Sequence, residues 1–189
     1  MKLRILLAVV AALSFSCFSA SAQEYLNPTL ETIHTRASVR SFTDAQVSEV
    51  YLLEMVKAGM AAPTGSNKQP WEFVIIQDRQ TLKTIGEIKP PVGKAPAAIV
   101  VLGDTSKSGS WVLDCSAATE NILLAATSLG LGAVWTGAYG NAKFEELLKE
   151  TLALPEGIMP LCVIAVGYPD ATPKPKDKFV ESKVHYEKY

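Results

Sequence analysis

Two arginines and a serine lie within five residues in the segment Arg36-Ala37-Ser38-Val39-Arg40. A guanidinium group offers paired N–H donors that match two oxygens of a phosphate, and a serine hydroxyl adds a short hydrogen bond. The segment therefore suits the binding of a phosphate group. Taken alone, the same residues also fit a solvated loop that follows a helix.

A second polar cluster runs from Pro63 to Pro70 and directly precedes Trp71. Gly65 allows the backbone to come close to a ligand because glycine has no side chain. The side chains of Thr64, Ser66, Asn67 and Gln69 supply donors and acceptors suited to the edge of a heteroaromatic ring or to a sugar-alcohol chain. An ordinary connection between a helix and a strand is the alternative interpretation.

A third segment, from Gly130 to Tyr139, combines glycines with two aromatic residues. Gly137 would let a backbone N–H approach a flat ligand. Trp135 and Tyr139 fit core aromatic residues equally well.

Helices are predicted before and between these three segments. A short helix with Leu30 and Ile33 ends near Arg36. A second begins with a capping box formed by Thr43 and Gln46. Its apolar residues recur at helical spacing: Val47, Val50, Leu53, Val56 and Met60.

Three further helices are predicted later in the chain. One carries Leu82, Ile85 and Ile88 and stops at Pro90-Pro91. The longest, from Leu113 to Leu129, is apolar on most faces and should lie in the core or in a subunit interface, with Gly130 ending it. Asn141 caps a helix that runs through Leu148.

Four short strands alternate with these helices, which predicts a sheet covered by helices. Their ranges are Trp71–Ile76, Ala97–Leu102, Ala133–Thr136 and Leu161–Val166. The tail from Pro169 is too polar to fold alone, so it needs support from another surface or is disordered.

The composition argues against several kinds of site. The chain has 189 residues with a formal net charge of −1, so no overall attraction to nucleic acid is expected. Its two histidines and three cysteines show no metal-ligand spacing, so we expect no metal site. Cys115 and Cys162 lie in apolar segments and are expected to be buried thiols, with a disulfide between them as the alternative.

The first residues have the pattern of an export signal. Lys2 and Arg4 precede an apolar run over 5–15, and Ala20-Ser21-Ala22 has the small residues that a signal peptidase recognises. We predict a cleaved signal peptide over 1–22, a single domain over 23–189, and a periplasmic or cell-envelope location. A buried N-terminal helix and a lipid-modified Cys17 are the alternatives.

Taken together, the polar segments resemble the nitroreductase family from about Leu30 to the C-terminus. The residues 36–40 match its R-x-S-x-R pattern, and 63–71 match P-[ST]-x-x-N-x-Q-P-W. The residues 130–137 match G-L-G-x-x-W-x-G, and Gly167-Tyr168-Pro169 is followed by Lys174-Pro175-Lys176. Each pattern is weak alone, but four in this order and spacing are strong evidence.

The resemblance implies an α+β nitroreductase-like fold: a central mixed or antiparallel sheet flanked by helices, in an intertwined homodimer with flavin mononucleotide (FMN) at the interface. The loop over 63–67 would come from the partner subunit, and the backbone at Thr136 and Gly137 would meet the flavin ring near N5. The implied FMN contacts are Arg36, Ala37, Ser38, Arg40, Pro63, Thr64, Gly65, Ser66, Asn67, Gln69, Thr136, Gly137, Lys176 and Lys178.

The resemblance also implies the reaction. NAD(P)H, or another donor, would give a hydride to the flavin and leave, and a nitroaromatic, quinone or similar acceptor would then be reduced in the same space. No catalytic side chain is expected, because the flavin N5 carries the hydride. The alternatives are a dehalogenase-type relative, a non-catalytic flavin-binding or electron-carrier protein of the cell envelope, and a secreted module without a cofactor.

Overall fold

The structure is a computed structural model that describes residues 25–189, in which helices and strands alternate. The predicted signal peptide over 1–22 lies outside the described residues. The helices are α1 (Pro28–Thr35), α2 (Glu49–Met60), α3 (Arg79–Gly86), α4 (Pro90–Lys94), α5 (Trp111–Ser128) and α6 (Ala142–Leu152). The strands are β1 (Trp71–Ile76), β2 (Ala97–Asp104), β3 (Gly132–Gly137) and β4 (Ile158–Gly167).

The four strands form one antiparallel sheet in the order β1-β2-β4-β3. All four predicted strands are confirmed, and β4 begins three residues earlier than expected. The pairing of Trp71 with Gly103 and of Gly137 with Cys162 brings the start of β1 and the end of β3 to one end of the sheet, here called the Gly137 end. The opposite end, where β3 starts, is the Gly132 end. β1 and β3 are the two outer strands.

The sheet separates two apolar cores. One face packs against α2 and α5, and the other packs against α3, α4 and α6. Cys115, Ala118, Ile122 and Ala126 of α5 have no exposed surface, so the predicted central position of this helix is confirmed. Among residues 25–189, no helix combines the length and the apolar character needed to cross a membrane.

The capping box predicted at Thr43 is wrong, because α2 begins at Glu49 and Ser48 caps it, accepting a hydrogen bond from the Tyr51 N–H at 3.4 Å. The Thr43 N–H instead donates to the Tyr168 carbonyl at 2.9 Å. This long-range bond, with the bridge between Phe42 and Pro169, keeps the segment extended.

The later start of α2 also changes which of its residues are buried. Leu52 and Met55 have no exposed surface. Val50, Leu53 and Met60, which were named for their helical spacing, are 66 %, 49 % and 51 % exposed. The spacing counted from Val47 was misleading because Val47, although buried, precedes the helix.

The two prolines after α3 start a helix rather than only ending one. α3 stops at Gly86, and Pro90 and Pro91 form the first turn of α4. A proline is well suited to this place, because the first N–H groups of a helix have no partner within it.

Cys115 and Cys162 are both free and buried, as expected for isolated thiols. Burial raises the pKa of each thiol from its ordinary value of 9.0 to about 12. The Cys115 thiol lies 3.3 Å from the Leu102 carbonyl oxygen, and the Cys162 thiol lies 3.5 Å from the Thr119 hydroxyl.

We expect the native protein to leave both thiols unreacted with a thiol reagent at pH 8, because the thiolate is the reactive form.

Since folding keeps the thiols protonated, their contribution to stability is complete below pH 9 and is lost as the pH rises toward 12. Urea unfolding at pH 8 and pH 10 measures this loss. A double Cys115→Ala, Cys162→Ala variant should lose less stability over that interval; an equal loss would contradict the prediction.

Candidate functional site

A cationic cavity of about 420 Å³ lies beside the segment from Arg36 to Ser41. It brings the two arginines of the predicted phosphate site together with three lysines of the tail, and Asp170 is the one carboxylate that residues 25–189 contribute to its lining. The lining residues are Arg36, Ala37, Ser38, Val39, Arg40, Ser41, Asp170, Ala171, Pro173, Lys174, Lys176 and Lys178. Six of the predicted site residues therefore share one cavity.

The segment that contains the two arginines is fixed to the start of β3. The Val39 N–H donates to the Ala133 carbonyl at 3.0 Å, and Ser38 forms a parallel bridge with Ala133. A Cβ atom at position 132 would lie 2.7 Å from the Cβ atom of Val39, so only glycine allows this approach. The cavity therefore lies at the Gly132 end of the sheet.

Arg36 is oriented by an acidic residue that belongs to none of the sequence motifs. Its Nε lies 3.1 Å from Oε1 of Glu120 on α5, and 18 % of its side chain is exposed. Within the described residues its two terminal nitrogens form no hydrogen bond, so both are available to an anion. Arg40 donates from Nη1 to the Ser38 carbonyl at 3.3 Å.

The tail reaches the cavity through a contact between Ser41 and Asp170. The Ser41 hydroxyl donates to the Asp170 carboxylate, and the Asp170 N–H donates to the Ser41 carbonyl at 3.5 Å. These bonds continue the pairing of Phe42 with Pro169. They direct the chain after Asp170 past the arginines, which brings Lys176 and Lys178 to the site.

The outer edge of β3 offers backbone groups to a ligand. In this strand, the backbone N–H and C=O groups of successive residues point alternately toward β4 and away from it. The groups of Ala133 point away from β4, so those of Trp135 and Gly137 also point away from it. A Cβ atom at position 137 would lie more than 4 Å from the heavy atoms of residues 25–189 other than its chain neighbours, so these residues leave the space before Gly137 open. Gly137 lies four residues, or about 13 Å, along the strand from Ala133.

Thr136 has a different environment from its neighbour. Its side chain is buried, and its hydroxyl donates to the Val163 carbonyl at 2.7 Å. Its backbone also pairs with β4. Of the two residues predicted to face a ring, Gly137 therefore presents its N–H outward, while the Thr136 side chain supports the sheet.

The polar loop, defined as residues 63–70, lies beside β1 and not beside the cationic cavity. The Pro70 carbonyl accepts from the Asp104 N–H at 2.7 Å, and the Gly65 N–H donates to Asp114 at 2.9 Å. Because β1 and β3 are opposite edges of the sheet, one chain does not bring this loop to Arg36 and Arg40. None of the predicted loop residues contributes to the lining of the cavity.

The described part of the chain contains no group of three or more His, Cys, Asp or Glu side chains placed to hold a metal ion. The residues that sequence reasoning missed are Glu120, Ser41 and Asp170. They lie far from their partners in the sequence or carry no motif, so no local pattern could have identified them.

Comparison with known proteins gives a consistent result. The profile of the Nitroreductase family matches residues 33–90 and 88–168. A protein of Methanothermobacter thermautotrophicus whose name gives it as an NADH dehydrogenase/NAD(P)H nitroreductase is 41 % identical over 166 residues, which cover 85 % of this chain and 87 % of that protein.

Solved structures have the same fold. A crystal structure from Parabacteroides distasonis with the same descriptive name superposes with a TM-score of 0.84 at 46 % identity, covering 86 % of this chain and 99 % of the other. A nitroreductase structure from Desulfovibrio desulfuricans in complex with FMN has a TM-score of 0.76 at 29 % identity, covering 87 % and 99 %.

Proposed function

The chain belongs to the nitroreductase family, and we propose that it is an FMN-dependent oxidoreductase that passes reducing equivalents from NAD(P)H to a small acceptor such as a nitroaromatic compound or a quinone. The observation that carries this proposal is the cationic cavity at one end of β3, together with the open backbone edge that leads from it to Gly137. Two relatives carry names that include NAD(P)H nitroreductase, which favours an enzyme over a non-catalytic flavin carrier.

The residues present fit FMN. Arg36, Ser38 and Arg40 offer a phosphate both charge and directed donors, and Lys176 and Lys178 add positive charge from the tail. The open surface before Gly137 suits a flat ring. An extended ribityl chain can join the two places, because both lie along the same strand edge.

When bound, FMN supplies the two-electron chemistry that the protein's own side chains lack. The arginines would hold the phosphate and fix the position of the cofactor. The outward N–H of Gly137 would donate to the edge of the ring, where a fixed donor stabilises negative charge that develops during reduction. The Thr136 hydroxyl keeps this part of β3 rigid through its bond to Val163.

An absorption spectrum of the purified protein with added FMN, before and after anaerobic addition of NADH or NADPH, tests this function. We expect the visible flavin bands to be shifted by the protein, to bleach with the reduced nicotinamide, and to return when a nitroaromatic acceptor is added. Protein that leaves the FMN spectrum unchanged would refute cofactor binding. If neither NADH nor NADPH reduces the bound flavin, the proposal that NAD(P)H is the electron donor is refuted.

We also propose a homodimer in which the polar loop of one subunit covers the FMN of the other. The support is apolar surface that a single chain leaves exposed, including Val50, Leu53 and Met60 on α2 and Leu113 on α5. Phe179 and Tyr186 of the tail are 74 % and 85 % exposed. Light scattering coupled to gel filtration should give twice the mass of the chain; the mass of one chain would contradict the assembly.

Export from the cytoplasm is a further part of the proposal. It rests on Lys2, Arg4, the apolar run over 5–15 and the small residues at 20–22. Cell fractionation followed by N-terminal sequencing should find a chain that starts near residue 23 outside the cytoplasm. A cytoplasmic chain that still begins at Met1 would contradict export.

A further inference from the structure

The polar loop has a strained backbone. Ser66, Asn67 and Gln69 have φ angles of 50°, 55° and 48°, in the left-handed region that side chains other than glycine rarely adopt. Three such residues within four positions persist only if surrounding contacts hold them in place. Bonds within the loop supply part of this support. The Gln69 N–H donates to the Thr64 hydroxyl at 3.1 Å, and the Gln69 side-chain amide donates to Asn67 Oδ1 at 2.9 Å.

Bonds within the loop fix its shape but not its position relative to the rest of the protein. The Pro70 carbonyl, which accepts from the Asp104 N–H, connects the end of the loop, and its start is connected by Asp114, in the first turn of α5. The residue is only 5 % exposed. Oδ1 accepts from the Gly65 N–H at 2.9 Å, and Oδ2 accepts from the Ser108 hydroxyl at 3.0 Å.

A buried carboxylate is costly, and a small apolar residue would fill the same space without that cost. The two bonds of Asp114 compensate for it, and one of them fixes the strained loop at its first turn. We propose that Asp114 is a positioning residue that holds the polar loop in the conformation in which the donors of the loop contact the FMN of the partner subunit. This inference rests on the proposed function.

Two positions allow the bond to be removed from either side. Asp114→Ala removes the acceptor, whereas Asp114→Asn keeps Oδ1 as an acceptor for Gly65. Gly65→Pro removes the donor; Thr64, at φ −135° and ψ 154°, already has the extended conformation that a residue before proline adopts. Gly65→Ala is the matched control for loop exchange only, since it keeps the N–H and its Cβ would lie 3.9 Å from Asp114 Oδ1, whereas Gly65 itself is among the implied FMN contacts.

Hydrogen exchange of the peptide that contains the loop, measured without FMN, reports the position of the loop. The dissociation constant of FMN, measured by quenching of its fluorescence, reports the consequence. We expect Asp114→Ala and Gly65→Pro to increase loop exchange and to weaken FMN binding about 10- to 100-fold, as for a lost hydrogen bond to a charged group. Asp114→Asn should keep FMN affinity within about threefold of that of the unmodified protein, while Gly65→Ala and Ser108→Ala, which both keep the Gly65 bond, should leave loop exchange unchanged.

Several results would overturn the proposal. Unchanged loop exchange in Gly65→Pro would show that the bond does not hold the loop. Faster loop exchange in Asp114→Ala and Gly65→Pro with unchanged FMN affinity would show that the conformation held by Asp114 is not needed for FMN binding. A defect in Asp114→Asn equal to that in Asp114→Ala would assign the effect to charge rather than to the bond. If Asp114→Ala does not fold, the two Gly65 variants decide.

The exchange measurement also separates this proposal from the proposed function. If the unmodified protein binds no FMN, the oxidoreductase proposal fails, and with it the role of Asp114 toward the cofactor. Loop exchange without FMN still determines whether Asp114 holds the loop. If FMN binds normally but loop exchange is insensitive to both pairs of variants, only the role of Asp114 fails.

Discussion

Gly137→Val is expected to weaken FMN binding at least about 100-fold while leaving the fold intact. The open space before Gly137 is where the ring is proposed to lie, and the valine methyl groups would occupy it. The Cβ atom of the valine would lie more than 4 Å from the heavy atoms of residues 25–189 other than its chain neighbours, and a β-branched residue is well tolerated in a strand. Titration of FMN into the protein, with the thermal unfolding temperature measured without FMN, tests both parts.

Gly109→Val is the matched control, because a Cβ atom there also meets no heavy atom within 4 Å and the residue lies outside the cationic cavity. It should bind FMN like the unmodified protein. Normal FMN affinity in Gly137→Val would show that the ring lies elsewhere. Loss of affinity with a large fall in unfolding temperature would assign the effect to the fold.

Arg36→Ala is expected to weaken FMN binding by about 1.5–3 kcal/mol, the range for a hydrogen bond to a charged group. Glu120 Oε1 lies 3.1 Å from the Nε atom of Arg36, and the terminal nitrogens of Arg36, which form no hydrogen bond within residues 25–189, are available for the phosphate. Removal of the guanidinium also leaves the Glu120 carboxylate beside the site without its partner, which adds repulsion of a phosphate. Isothermal titration with FMN at low and high salt measures the loss.

Two further variants separate charge from geometry. Arg36→Lys keeps the charge but not the paired donors, so its affinity should lie between those of the unmodified protein and Arg36→Ala. Lys143→Ala removes one positive charge from an exposed place on α6, outside the cavity, and should have little effect. Equal affinities for Arg36→Ala and Lys143→Ala would remove Arg36 from the phosphate site.

Much of the site followed from short segments of sequence. The residues proposed to bind the phosphate lie within five positions, so their convergence needs only a short loop, and Arg36 and Arg40 line one cavity in the structure. Strand ranges were also accessible, because continuous apolar runs between turn residues carry a strong local signal. The start of α2 could not be predicted from the local sequence, because the bond from Thr43 to Tyr168 joins residues more than a hundred positions apart.

The sequence by itself determined which side chains carry charge and hydrogen-bonding capacity, where helices and strands lie to within a few residues, and which family the chain resembles. The tertiary structure decided which groups meet. Strand order put the polar loop and the cavity at opposite sheet edges, and register turned Thr136 inward and Gly137 outward. The tertiary structure also determined the contacts of three acidic residues, Glu120, Asp114 and Asp170. These contacts join residues distant in the sequence, and only packing of the whole chain fixes their distances.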